Sequence, residues 1–166
     1  FEDVLRLEPR FAEAHVSLGT TLIQQHRADE AVAHFLEATR IKPFHVEAHA
    51  GLGAALAYQG KADEAVAEYE TVLQIQPDHA GARVNLGIAL ARQSRLDEAV
   101  PHLRDAVRLE PKNADAHHAL GAVLAQQGRF TEATAEFTEA LRLNPDHPQA
   151  RALLAEVQRQ RGLIIR

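Results

Sequence analysis

The 166 residues contain no cysteine. That excludes disulfide staples and thiolate metal sites, and it leaves the redox compartment open. Aromatic residues make up only 5% of a chain that is 46% hydrophobic, so a core must rest on Ala, Leu, Val and Ile. Such a core suits closely approaching helices better than an aromatic-rich β-sandwich. Apolar runs of about 18 residues are missing, so no membrane insertion is expected. No charged-then-apolar leader is visible, so a soluble chain is expected, its compartment left open with the cytoplasm favoured. Eighteen Lys and Arg are scattered among 23 Asp and Glu, for a formal net charge of −5. Phosphate backbones call for a concentrated basic face, so nucleic acid is not an expected partner. Serine occurs only at Ser17 and Ser94, neither beside a His–Asp set. No phosphate loop, nucleophile elbow or paired-carboxylate motif appears, and no catalytic residue, cofactor or metal is assigned.

What is present is a period. Prolines fall at Pro9, Pro43, Pro77, Pro111 and Pro145, each 34 residues after the last. Leu-Gly pairs follow the same interval at Leu18-Gly19, Leu52-Gly53, Leu86-Gly87 and Leu120-Gly121, as do Ala31, Ala65, Ala99 and Ala133. A large apolar residue comes four positions after each alanine: Phe35, Tyr69, Leu103 and Phe137. Each repeat reads as two helices. In the first, Ala14, Leu18, Thr21 and Leu22 share one stripe. A break follows at His26-Arg27, Gly60-Lys61, Ser94-Arg95 or Gly128-Arg129. Acidic and capping residues such as Asp29-Glu30 then suit the start of a second helix. The proline closes it by driving the preceding residue out of the α region. Small residues at the glycine and alanine positions allow close packing, and stacked neighbours complete a core that no single pair can bury.

This pattern resembles the tetratricopeptide repeat family, whose Leu-Gly, Tyr, Ala, Phe, Ala and Pro positions fall in the first repeat on Leu18-Gly19, Leu22, Ala31, Phe35, Ala38 and Pro43. The resemblance implies an all-α fold, an α-solenoid in which antiparallel helix pairs form a right-handed superhelix. Residues 1–11 are expected to end an upstream helix. The repeats are 12–45, 46–79, 80–113 and 114–147, and 148–166 is a capping helix and tail, within one domain. Pro148 to Gln160 forms the capping helix, and Gly162 falls where the frame puts a turn. A frame cut at both ends suggests a piece of a longer protein. Two departures stand out. The early tryptophan of the family is replaced by His15, His49, Arg83 and His117, and Pro101 lies inside a second helix, where it would cost a backbone bond or bend the axis.

Among the histidines, His15, His49 and His117 share that one repeat position and are expected to be half-buried packing residues. Successive repeats lie roughly 8–10 Å apart, too far for one metal ion. His34, His102, His45, His79 and His147 are expected to be solvated. Gly51-Leu52-Gly53 has the look of a dinucleotide turn, but such a turn follows a strand, and this one lies inside a helix.

In solenoids of this kind the first helices line the concave face, so the resemblance implies a partner-binding groove at Val16, Thr20, Ile23, Ala50, Gly51, Ala54, Tyr58, Val84, Asn85, Ile88, Arg92, His118 and Ala122. Gly51 is expected to leave a shallow notch in its floor. Family members that hold acidic chaperone tails use Lys, Asn and Arg at such positions. Only Asn85 has a counterpart here, so that activity is not implied. The expected function is a non-catalytic protein-protein interaction scaffold, its partner an amphipathic helix or extended apolar segment. Two alternatives are a repeat segment of a larger enzyme, such as a glycosyltransferase, that docks substrate proteins, and a module that self-associates through its ends at Phe1 and Leu163-Ile164-Ile165.

Overall fold

The computed structural model describes residues 11–164, with side chains up to residue 160. The expected upstream helix at Phe1–Leu7 and the apolar tail side chains lie outside the described residues. Every regular element among the described residues is an α-helix. The first helices of the repeats are α1 (Ala12–Gln24), α3 (Val46–Tyr58), α5 (Ala80–Arg92) and α7 (Ala114–Gln126). The second helices are α2 (Ala28–Ile41), α4 (Ala62–Ile75), α6 (Leu96–Leu109) and α8 (Phe130–Leu143), and α9 (Pro148–Ile164) closes the series. The chain divides into two compact units between Ala82 and Arg83, within α5. In the first unit α2 packs on both α1 and α3, α3 on α4, and α1 touches α3. In the second, α7 packs on α6 and α8, and α9 on α8 and α7. Within each unit, contacts run between near neighbours along the chain, as in a quasi-one-dimensional array.

The turns explain the helix lengths. Each first helix ends in a Schellman motif: Arg27, Lys61, Arg95 and Arg129 donate their backbone N–H to Leu22, Leu56, Leu90 and Leu124 at 2.9–3.0 Å. The motif needs a left-handed residue, found at Gly60 (φ 78°) and Gly128 (φ 75°), but also at His26 and Ser94 (φ 61° each). The second helices end at Ile41, Ile75, Leu109 and Leu143, two residues before each proline. Their acidic residues do not cap. Asp29-Glu30 and their equivalents sit in the first turn, and the N-cap positions Arg27, Lys61, Arg95 and Arg129 make no side-chain cap bond. The acids act instead through the helix dipole and through ion pairs with the preceding arginine, such as Arg27 Nε to Glu30 Oε1 at 2.6 Å. Helix α6 runs through Pro101 without interruption. Helix α9 runs past Gln160 and Gly162 to Ile164, so no turn forms at Gly162. The residues after Gly162 are Leu163-Ile164-Ile165, without the acidic first turn on which the other second helices start.

The repeated small residues lie at the centre. Ala31, Ala65, Ala99 and Ala133 are completely buried. A Cβ added at Gly53 would stand 2.8 Å from Cε1 of Tyr69, and one at Gly87 would stand 2.5 Å from Cγ of Leu103. The glycine of each first helix thus seats the large side chain of its own second helix.

The tryptophan position is a polar tie. His49 lies between Oε2 of Glu68 (Nδ1, 2.6 Å) and the carbonyl of Pro43 (Nε2, 2.9 Å). His117, 7% exposed, repeats this with Glu136 (2.7 Å) and the Pro111 carbonyl (3.1 Å). In the other repeats His15 meets His34 (2.9 Å), and Arg83 pairs with Asp105 (3.0 Å). His34 and His102 are partly buried, and His34 belongs to this tie, so neither is simply a solvated side chain. His45, His79 and His147 also differ from the solvated expectation. They share the N-cap position with Asn113. His79 Nδ1 accepts from the Ala82 N–H (3.0 Å), His147 Nδ1 from Ala150 (3.3 Å), and Asn113 Oδ1 from Ala116 (3.0 Å). His147 is 5% exposed. A ring nitrogen with a free lone pair can do the work of an Asn oxygen, and doing it brings the ring inward.

Candidate functional site

The first-helix faces differ between the two units. In the first, Val16 packs with Ile41 against the core of Ala12, Ala38 and Ala48. Thr20 is exposed and its hydroxyl donates back to the Val16 carbonyl (2.9 Å). Ile23, Ala50 and Ala54 are partly buried. Tyr58 is 60% exposed, its hydroxyl 3.0 Å from Nδ1 of His26. Gly51 leaves no notch. A Cβ placed there would lie 2.5 Å from Cζ and 2.8 Å from Cδ1 of Phe35, so that ring already occupies the space. Phe35, 1% exposed, also contacts the glycine of its own repeat, with Cζ 2.9 Å from the Cβ position of Gly19. The physical reason is that the second helix of one repeat packs on the first helix of the next.

In the second unit a pocket of about 260 Å³ opens between α5 and α7. Ile88, Ala91 and Arg92 line it from α5, and His118, Ala119, Ala122, Val123 and Gln126 from α7. Four of the anticipated groove residues, Ile88, Arg92, His118 and Ala122, therefore converge on one concavity. Asn85 is exposed outside it, and Val84 is buried at 9% exposure rather than presented as a wall. The pocket exists because Ala91, Ala119 and Ala122 stop at Cβ, where longer side chains would fill the trough. Ala91, Ala119, Val123 and Gln126 are lining residues beyond the anticipated set; their small size and shared face are the signal that points to them.

The His118 wall is neutral in character. Its ring stacks on His147 (centroids 4.6 Å) and lies 6.0 Å from Phe137. Burial, and then the neighbouring His147, hold its imidazole below the usual histidine range, while Asp115 pulls the other way. Nε2 of His118 is buried without a partner. Nε2 of His147 lies 3.2 Å from Oδ1 of Asp115, within ion-pair range but out of line for a hydrogen bond. A wider hollow of about 610 Å³ lies beside the exposed Phe44, but it is formed by the α2–α3 turn and Gln76, away from the first-helix face. Among the described residues no three His, Asp or Glu side chains converge as metal ligands would, and no helix is long and apolar enough to cross a membrane.

Stacked helix pairs, Schellman turns and a small-residue pocket on the first-helix face define an α-solenoid built to present a surface. One sequence model described as tetratricopeptide repeat matches residues 1–46, 50–114 and 84–142, and a second so described matches 124–164. The chain belongs to the tetratricopeptide repeat family, whose members are protein-interaction scaffolds. No curated protein matches it. Among solved structures it is similar to a thermophilic TPR protein of Thermus thermophilus, with 29% identity, a TM-score of 0.79, and 92% of this chain covering 84% of that one. It is also similar to pilF of Pseudomonas aeruginosa, with 26% identity, a TM-score of 0.83, and coverage of 93% and 70%. MamA from Desulfovibrio magneticus RS-1 shares the fold at 22% identity and a TM-score of 0.81, with coverage of 91% and 85%.

Proposed function

We propose that the chain is a non-catalytic scaffold that holds a helix or extended segment of a partner protein against its first-helix faces, anchored in the α5–α7 pocket. The pocket carries this reading: it is concave, its floor is Ile88, Ala91, Ala119, Ala122 and Val123, and it lies on the face where neighbouring first helices meet. An apolar side chain entering it would leave water, while the polar rim of Arg92 and Gln126 stays hydrated. A single anchor of this size supports affinity on the order of micromolar, because ordering the segment opposes most of the gain. Selection of displayed random peptides on the immobilised chain tests the reading. Enriched peptides should lose binding to Ile88→Asp and Ala122→Arg variants whose urea midpoints match the parent. Peptides that bind both variants as well as the parent would show that the pocket is not the anchor.

A further inference from the structure

The pocket carries one charged group, Arg92, and that group stands apart from its peers. Among the described side chains every other arginine is engaged. Arg27, Arg95 and Arg129 pair with Glu30, Glu98 and Glu132, and Arg40, Arg142 and Arg159 pair with Glu37, Glu139 and Glu156. Arg83 and Arg108 share Asp105, Arg104 reaches Glu132, and Arg151 donates to the Pro145 carbonyl. Arg92 is exposed, in the last turn of α5, and its side chain makes no ion pair or hydrogen bond with the described residues. The same repeat position holds Gln24, Tyr58 and Gln126 elsewhere, so the cation is particular to this pocket. In a chain with 23 acidic residues against 18 basic ones, an arginine left unpaired beside an apolar hollow marks a place where the missing carboxylate comes from outside.

Resting on the scaffold reading above, we propose that the partner segment presents an aliphatic side chain followed or preceded, within about one helical turn, by an Asp or Glu. The aliphatic group enters between Ile88 and Ala122, and the carboxylate pairs with the guanidinium of Arg92, which can donate two parallel N–H bonds to it. The two contacts divide the labour. The pocket supplies affinity, and the rim charge selects among apolar segments and fixes their direction along α5. The neutral His118 on the opposite wall adds no competing charge. A segment carrying Lys or Arg at that point would bring like charges together and be disfavoured.

Peptide selection on three forms of the full chain, the parent, Arg92→Gln and Arg92→Glu, tests this. The parent should enrich peptides with Leu, Ile, Val or Met near Asp or Glu. In one enriched, fluorescently labelled peptide, replacing the acid by its amide should weaken binding to the parent about 5-fold, and leave binding to Arg92→Gln unchanged. The Arg92→Glu chain should enrich Lys or Arg in place of the acid. If Arg92→Glu selects the same acidic peptides, or the amide substitution weakens parent and Arg92→Gln alike, the charge assignment fails while sensitivity to Ile88→Asp preserves the docking reading. If the enriched peptides ignore Ile88→Asp and Ala122→Arg, or none is enriched, docking in this pocket fails and the charge proposal with it.

Discussion

Gly51 offers a direct measurement of how tightly adjoining repeats fit. Replacing it with alanine sets two effects against each other. Alanine in a helix interior is favoured over glycine by about 0.8–1.0 kcal/mol. Against that, the new methyl would meet Phe35 at 2.5 Å from Cζ and nearer still to Cε1, whereas carbon atoms rest about 3.5–4.0 Å apart. The ring must retreat by about 1 Å, and its retreat is blocked because Gly19 already seats its far end. Overpacking of this kind costs about 1–3 kcal/mol, and a ring 1% exposed and held on both sides belongs at the upper end. The net expectation is a loss of about 1–2 kcal/mol, read as a fall of roughly 0.5–1 M in the urea midpoint. The partner substitution Phe35→Leu should relieve the clash. One of the corresponding pairs later in the chain is Leu103 and Ala119, a shorter side chain in register with a methyl. Gly51→Ala should therefore cost less in the Phe35→Leu background, by about 1 kcal/mol in a double-mutant cycle. A stabilised Gly51→Ala protein, or a cycle with no coupling, would refute the seat described for Phe35.

Ser94→Gly should raise stability by about 0.5–1 kcal/mol, since Ser94 bears the left-handed penalty and glycine does not; urea denaturation measures it. Gly60→Ala and Gly128→Ala should lose about 1 kcal/mol for the same backbone reason, as nothing lies near either Cβ position. Asn113→Ala removes the side-chain acceptor for the Ala116 N–H and should cost about 1 kcal/mol by the same assay, with Asn113→Asp retaining most of it. His118 gives a pH dependence. The unfolded chain takes up its proton near the ordinary value of 6.5, whereas the folded chain resists it, so this contribution is complete above that value and is lost as pH falls through the folded value. Urea midpoints between about pH 7.5 and 5.5 should therefore fall more steeply for the parent than for His118→Val, and equal slopes would remove His118 from the account.

The helix pairs were legible in the sequence because each of their determinants is local and repeated. Proline, Leu-Gly and alanine recur at one interval, and each acts on its own turn or its own helix pair. The site was less legible because it depends on what one repeat places against another. Gly51 is bare in its own helix and covered in the protein, since Phe35 of the preceding repeat lies over it. Val84 occupies the same repeat position as His118, yet it is buried while His118 faces the pocket. The histidine caps escape a sequence reading for a different reason. At a turn, His79 and His147 look like solvated polar residues, and only their equivalence to Asn113 signals that a ring nitrogen stands in for an amide oxygen. The tryptophan position held a further signal, His49 with Glu68 and His117 with Glu136 at the same separation, which the structure turns into a bond between helices.

The Phe35–Gly51 seat also bears on how such a chain can be rearranged. Repeats of equal length invite the view that they are interchangeable blocks, to be duplicated or shuffled at will. The position filled by Gly51 holds Asn85 in the third block and Ala119 in the fourth, and either would drive a side chain into the Phe35 ring if its block followed the first. The absence of one methyl group thus records which block comes second. Succession in this array is written into its joints, and a recombined chain would need Phe35 shortened or its ring moved before a side chain could take that place.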